Sequence, residues 1–374
     1  MKTVFLDNAS TTKTAKVAID AFVKYSTEEF YNPSAEYAQS VNVSKKIEEA
    51  RDFILKRLGA SSGTIVFTSG ATESNNLAIF GSLREGETEY IFSSGEHSSI
   101  FNVAKTIENN GKKVHFVPLL ENGEIDYSAL GNLVNNKTRL VSLIYVSNET
   151  GVVNDIKKAV EIIKEKNKRT LVHVDGVQAF NKIPFSVDDL NIDFLSYSAH
   201  KFHGVKGTGG LYVRNINALK SLVFGGGQEF NKRSGTENVG GILSSVEVMK
   251  TIDVKKNFDI VKSLKKIAVD FFSNKENVKI VATEGSPYIL SLAFYGVNGE
   301  TLMRALEKFV IVGKGSACGS KTAGNRVLKA IGLDDNRIKS SIRLSFDYEQ
   351  TEEEIRYACE KIYEVYCEIY NKVK

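Results

Sequence analysis

The chain has 374 residues, more than one ordinary domain of about 100–200 residues, so a large and a small domain are expected. Hydrophobic residues make up 42% and charged residues 25%, with 49 Lys and Arg against 45 Asp and Glu; such a composition excludes a disordered chain. The net charge of +4 is mild, and the charges are interspersed along helical patterns, so they read as solvated faces and not as a nucleic-acid footprint.

The chain opens with MKTVFLDNASTT, whose apolar run stops at Asp7, too short for a signal peptide. No stretch approaches the roughly 18 apolar residues of a membrane helix. The three cysteines, Cys318, Cys359 and Cys367, are an odd number without a secretion signal, which argues for reduced thiols and a cytoplasmic setting. From about 37 to 58, Tyr37, Val41, Ile47, Ala50, Ile54 and Leu58 recur at helical spacing, and Gly59 ends the pattern.

Short β-type runs then alternate with helical ones: TIVFT (64–68), EYIFS (89–93), KVHFVP (113–118), RLVSLIYV (139–146), TLVHVD (170–175), DFLSYS (193–198) and GGLYVR (209–214). This alternation predicts an α/β fold, a mostly parallel sheet covered by helices, with functional groups at the carboxyl ends of its strands. After about residue 250 a long charged-apolar helix (about 256–273), strand-like segments near 287–294 and 342–346, and a final helix predict a smaller α+β C-terminal domain. Thr351 followed by Glu354 opens that last helix with a capping-box pattern. The expected division is a large domain over 13–253 and a small domain formed by 1–12 and 254–374.

The chemistry-bearing segments fall at the strand ends. In SYSAHKFHGVKGTGG (196–210) a strand ends at Ser198 and leads to His200 and Lys201. A lysine there is costly if charged and idle and useful if its amine forms a Schiff base; Ser198 and His200 flank it as donors to an anion. HVDGVQAF (173–180) ends a neighbouring strand with Asp175, followed by Gln178. A carboxylate beside a Schiff-base lysine is the recurrent arrangement of pyridoxal phosphate (PLP) sites, where it keeps the pyridine nitrogen protonated.

IVFTSGATESNNLAI (65–79) places Gly70, Ala71 and Thr72 at a helix start, where backbone N–H groups can cradle a phosphate; Thr72 also suits a plain N-cap. His97 follows a strand in GEHSSI, where it could lie over a cofactor ring and shuttle protons. His115 and His173 lie inside strands and read as structural. His200 and His203 flank Lys201 without Cys or carboxylate partners in the sequence, so no metal site is expected.

Cys318 sits in VGKGSACGSKTAG (312–324), rich in Gly, Ser, Ala and Lys without hydrophobic periodicity. That composition predicts a mobile loop, and Lys314 and Lys321 would favour its thiolate. Cys359 and Cys367 fall in the terminal helix and fit packing. Arg343, inside the alternating strand SSIRLSF (340–346), needs an anionic partner, for which a substrate carboxylate is a candidate.

In order along the chain, LDNASTT, YNPSAEY, FTSGATESNNLAI, the Glu96–His97 pair, VSNETGVV, HVDGVQ, SYSAHKFHGVKG, GGGQEFNKRSGTEN, GSACGS and SSIRLSF resemble the NifS/IscS-like cysteine desulfurases, class V enzymes of PLP fold type I. The resemblance covers essentially the whole chain. It implies that Lys201 would hold PLP, that Asp175 would pair with the pyridine nitrogen, and that Gln178 would reach the ring oxygen. Ala71, Thr72, Ser198 and His200 would bind the phosphate, with Thr236 added from the neighbouring subunit of a homodimer, and His97 would stack on the ring. Asn32, Asn148 and Arg343 would hold substrate and cofactor.

Cys318 would attack the sulfur of L-cysteine, releasing alanine and leaving a persulfide for a protein sulfur acceptor. The segment after Cys318 reads GSKTAGNRVLKAIG, where members serving general iron–sulfur assembly often carry an acidic, proline-containing stretch. The chain also stops soon after its last helix, whereas those members carry a further tail that docks a scaffold protein. Both points leave the acceptor open. A selenocysteine lyase or another class V aminotransferase is the alternative the residues leave standing.

Overall fold

The structure is a computed structural model that describes residues 3–282, 284–314 and 326–373. The described residues form twelve strands: β1 (Val4–Leu6), β2 (Thr64–Thr68), β3 (Glu89–Ser93), β4 (Lys113–Val117), β5 (Thr138–Ile144), β6 (Leu171–Asp175), β7 (Phe194–Ser198), β8 (Gly209–Val213), β9 (Val278–Ile280), β10 (Ile289–Phe294), β11 (Val310–Val312) and β12 (Ser341–Ser345). Seven of them build one sheet in the order β2-β8-β7-β6-β5-β3-β4. Its neighbours from β7 to β4 run parallel, while β8 runs antiparallel to both β7 and β2. Each of the seven runs expected from the sequence is a strand here, with ends shifted by at most two residues.

Residues at the centre of this sheet are hidden on both faces, so β3, β7 and β8 are buried along their whole length, as expected of strands covered by helices on both sides. One apolar cluster, with Ile47, Ile54, Val172 and Leu195, fills one side; another, with Leu77, Phe92, Ile100 and Leu211, fills the other. The helix predicted over 37–58 spans Ala38–Arg57. Ile47, Ala50 and Ile54 are buried as expected, but Tyr37 and Val41 are exposed at the start of the pattern. Ser40 and Val43 take the inward positions there, because the inward stripe follows 3.6 residues per turn from Ile47 and not the apolar letters alone.

A third apolar cluster joins the two ends of the chain. Val4 and Leu6 pack with Val261, Phe272, Phe294, Leu344 and Ile362. Here β10 pairs antiparallel with β12 and β9, and β1 pairs parallel with β11. The final helix, Glu352–Val373, has the predicted capping box: Thr351 N donates to Glu354 at 2.9 Å and Glu354 N donates to Thr351 Oγ1 at 3.2 Å.

One contact fixes the turn in which Gly70 lies. A Cβ on Gly209, in β8, would sit 2.5 Å from the Tyr197 carbonyl oxygen and 2.6 Å from the Gly70 Cα. Both are backbone atoms that cannot rotate away. Gly209→Ala is therefore expected to destabilise the fold by about 1–3 kcal/mol, the cost of overpacking, read as a lower Tm; an unchanged Tm would contradict this account.

The histidines inside strands are satisfied by neighbours, as their position suggested. His115 meets Glu89 at 2.9 Å. His173 lies between Ser142 Oγ at 2.8 Å and Ser196 Oγ at 2.9 Å, and burial pushes its pKa from 6.5 down to about 3. Below pH 6.5 the unfolded chain takes up a proton at His173 that the folded chain refuses until about pH 3, so stability present above that window is lost as the pH falls through it. His173→Asn, which does not titrate, should flatten the fall of unfolding free energy between pH 6.5 and about 3. An equally steep fall in the variant would rule His173 out as a source of acid sensitivity.

Candidate active site

Four strand ends and one helix start meet around a cavity of about 530 Å³, well within the range of small-molecule pockets. Ala71, Thr72, His97, Asn148, Asp175, Gln178, Ser198, His200, Lys201 and Arg343 all line it. Asn32 and Thr236 do not: both are exposed, and the Asn32 side chain accepts from Ser34 N at 3.0 Å. Cys318 and Lys321 lie outside the described residues.

Lys201 ends a single 3-10 turn, Ala199–Lys201, that follows β7 directly. Its Nζ donates to the carbonyl oxygens of Ala9 at 2.8 Å and Ser10 at 2.7 Å. Those carbonyls are held in place from elsewhere. Ala9 N donates to Ser345 Oγ at 2.9 Å and Asn8 donates to Ser345 O at 3.0 Å. Thr12 N donates to His200 O at 3.0 Å, and His203 N donates to Thr12 Oγ1 at 2.7 Å. The segment after β1 is thus stitched to both β12 and the Lys201 turn.

Asp175 closes β6, buried at 4% exposure. One carboxylate oxygen accepts from Val177 N at 3.0 Å and the other from Asn75 Nδ2 at 3.3 Å. Burial raises its pKa, while His97 and Lys201 pull it the other way. A carboxylate has about four lone-pair sites, so capacity remains for one more donor. Asn75 also donates to Ser99 Oγ at 2.9 Å, and Ser99 Oγ lies 2.8 Å from His97 Nδ1. Because His97 Nδ1 also accepts from Ser99 N at 3.2 Å, a neutral His97 carries its proton on Nε2. Burial lowers the His97 pKa and so favours that neutral form.

The helix Ala71–Ser82 starts at the cavity edge with Gly70 at its N-cap. Gly70 has φ 151° and ψ 177°, a conformation only glycine adopts freely. Thr72 is therefore not the cap; it lies one residue inside the helix, where its backbone N–H is one of the donors without an intrahelical partner. Glu73 also lines the cavity, and its carboxylate is already engaged: it accepts from Ser69 N at 2.8 Å and pairs with Arg233 at 2.7 Å. The one carboxylate in the first turn of this helix is thereby balanced by a guanidinium. These donors, the Asp175 carboxylate and the Lys201 amine fit the phosphate, pyridine nitrogen and aldehyde of PLP, in that order.

Arg343 differs from its sequence reading. Its anionic partner is Asp7, at 2.7 Å, with Ser10 Oγ at 3.0 Å and the Asn148 carbonyl at 2.7 Å. The partner lies 336 residues away in the chain, beyond what strand patterning can show. His203 differs in the same way: it has a carboxylate partner after all, Asp347 at 2.9 Å, with Glu349 nearby. Lys314 is paired with Glu300, which reduces the field it can lend to the segment that follows. Gln178 is also occupied: it donates to Ala9 O at 2.9 Å and accepts from Lys182 Nζ at 2.9 Å.

Sequence reasoning missed Asn75, Ser99, Lys182 and the Ala9 and Ser10 carbonyls. Asn75 had a signal, since an asparagine in a helix interior is unfavourable without a use for its side chain. The others had none.

Comparisons with known proteins identify the family. A family model described as aminotransferase class-V matches residues 4–357. Cysteine desulfurase IscS of Clostridium botulinum (strain Hall) is 34% identical over 371 residues, 96% of this chain and 93% of that one. Cysteine desulfurase IscS of Buchnera aphidicola is 37% identical over 379 residues, 97% and 93% of the two chains. A solved NifS-like protein superposes with a TM-score of 0.91 at 33% identity, covering 98% of this chain and 99% of that one. SspA in complex with cysteine gives a TM-score of 0.80 at 28% identity over 92% of this chain and 99% of that one. With the family model spanning nearly the whole length and relatives above 30% identity over most of both chains, this chain belongs to the class-V aminotransferase family.

Proposed function

We propose that the protein is a PLP-dependent cysteine desulfurase that takes sulfur from L-cysteine onto Cys318. The observation that carries the reading is the meeting of Lys201, Asp175 and Arg343 in one cavity beside a helix start whose carboxylate, Glu73, is paired with Arg233. The names of the relatives support it, and a structural neighbour that binds cysteine supports the substrate.

Bound PLP would withdraw electrons from the carbon to which the cysteine amine is attached. Lys201 offers the amine that holds it. Asp175, oriented by Asn75 and Val177 N, keeps the pyridine nitrogen protonated. Ala71, Thr72, Ser198 and His200 take the phosphate. Burial and neighbouring lysines lower the His200 pKa to about 4, so His200 acts there as a neutral donor. His97 stacks on the ring and moves a proton at Nε2, its Nδ1 being tied to Ser99. Arg343 remains held by Asp7 and offers its other N–H groups to the substrate carboxylate.

The Cys318 thiolate attacks the substrate sulfur. The carbon–sulfur bond breaks, its electron pair passes to carbon, protonation there gives alanine, and a persulfide remains on Cys318. The other cysteines suit this less: Cys359 is buried, and burial pushes its thiol up to about 12, far from the thiolate that attack requires.

The same reading includes a cytoplasmic homodimer, a protein acceptor for the sulfur, and the division into domains 13–253 and 1–12 with 254–374. Exposed Ile19, Phe22, Val23, Phe30, Tyr37 and Val41 favour a covered face on the N-terminal helices. Thr236, exposed and outside this chain's own cavity, suits a phosphate contact made across that dimer, while Asn32 would reach substrate only after a rearrangement of its loop.

Two experiments test the chemistry. Cys318→Ser should bind PLP yet release almost no alanine or sulfide, while Cys359→Ser behaves like the parent; persulfide found on Cys359 or Cys367 by mass spectrometry would overturn the assignment. Asp175→Asn should keep the cofactor and lower turnover by more than about tenfold, about 1.4 kcal/mol of barrier. A smaller loss would remove Asp175 from its role.

A further inference from the structure

Lys182 is a buried cation that the chemistry above leaves unused. It lies in the turn after β6, seven residues beyond Asp175, with 5% of its surface exposed. Its Nζ donates to Gln178 Oε1 at 2.9 Å and sits 5.5 Å from the centre of the Tyr288 ring. The charged groups that act on it are Lys201, Asp347 and Arg343, and burial, the largest influence, lowers its pKa to about 7. A buried lysine is expensive, and an apolar side chain of the same length would fill the space at less cost.

The contact with Gln178 gives it a use. A glutamine amide carries an acceptor on one side and donors on the other, and turning it over exchanges them. Here both sides are determined by their neighbours. The Ala9 carbonyl can only accept, so it faces the Gln178 NH2 at 2.9 Å. Lys182 Nζ, a donor whether protonated or neutral, faces Oε1 at 2.9 Å. The same Ala9 carbonyl receives Lys201 at 2.8 Å, so a single run of hydrogen bonds leads from Lys182 through Gln178 and Ala9 to the Schiff-base lysine.

We infer that Lys182 is a positioning residue: it locks the Gln178 amide with its NH2 group toward the cavity, so that Gln178 meets the anionic ring oxygen of the cofactor as a donor and never as a carbonyl dipole. The inference rests on the PLP reading of the site and extends it to a residue that touches neither cofactor nor substrate. Without the lysine, Oε1 loses its buried partner and one of the two constraints on the amide disappears. The ring oxygen then loses a dependable donor and becomes more basic, and the proton shared between that oxygen and the Lys201 linkage is held more tightly.

The test is a pH titration of the visible absorbance of the holoenzyme, a readout separate from turnover. Lys182→Met should raise the midpoint of the titration by about half a pH unit or more. Loss of a positive charge alone would act in the same direction, so the substitution is repeated in a Gln178→Met background, where a double-mutant comparison isolates the pair. There the shift caused by Lys182→Met should fall to less than about half its size in the parent. An unchanged midpoint in Lys182→Met, or an equal shift in both backgrounds, overturns the inference. Lys182→Gln keeps a donor without the charge and should move the midpoint by less than about half a pH unit; a larger shift in that variant overturns the inference even should the methionine variant fail to fold. A parent with no visible band would sink the PLP reading and this inference together, whereas a parent band whose midpoint Lys182→Met leaves unchanged sinks this inference alone.

Discussion

The site depends on two backbone carbonyls, those of Ala9 and Ser10, that receive the ammonium of Lys201. A half-buried amine at the end of a central strand needs acceptors, and these two come from outside the main sheet. The acceptors come from the segment after β1, and that segment is placed by Ser345 and Arg343 in β12. Lys201 is therefore correctly set only when the first dozen residues and the last strand are both docked. The apolar cluster that unites Val4 and Leu6 with Leu344 and Phe346 is what docks them.

Around that contact the electrostatics follow from burial more than from pairing. Asp175 and His97 are shifted toward their neutral forms by desolvation, and each resists through the other. Two further carboxyls nearby behave more simply. Glu96 is fully buried, close enough to Asp175 for their charges to repel, and its pKa is raised well above the ordinary range. Burial pushes Glu149 up to about 8 despite Arg326 and Arg343. Burial thus shifts both toward their neutral forms, which weakens their competition with Asp175 for a cation. A bound pyridinium would reverse the balance at Asp175 alone, because only Asp175 among these three lines the cavity.

Several departures from the sequence reading share one cause. Arg343 was expected to wait for a substrate anion and instead holds Asp7. His203 was expected to lack a carboxylate and instead meets Asp347. Thr72 was a candidate cap, and Gly70 takes that position because its backbone must turn at φ 151°. Gln178 was expected to reach the cofactor's ring oxygen, and Lys182 and Ala9 also hold the two ends of its amide. Apart from Lys182, four residues from Gln178, the deciding partner in each case is either far away in the chain or is a backbone group, neither of which a pattern of side chains can reveal.

The amino-acid sequence by itself determined the alternation of strands and helices, the positions of Asp175, His97, Ser198 and Lys201 at strand ends, and the capping box of the last helix. These are local properties: periodicity decides which face of an element is apolar, and the residue at a strand end is fixed by the same register. Tertiary structure alone decided that β8 lies antiparallel between β2 and β7, that Tyr37 and Val41 face outward, and that Asn75 and Ser99 connect Asp175 to His97. It alone decided also that Ala9 carries Lys201 on one side and Gln178 on the other. Apart from the Ser99–His97 pair, those hydrogen bonds join residues tens to hundreds of positions apart, and hydrogen-bond capacity, unlike hydrophobicity, has no period along the chain from which its partner could be read.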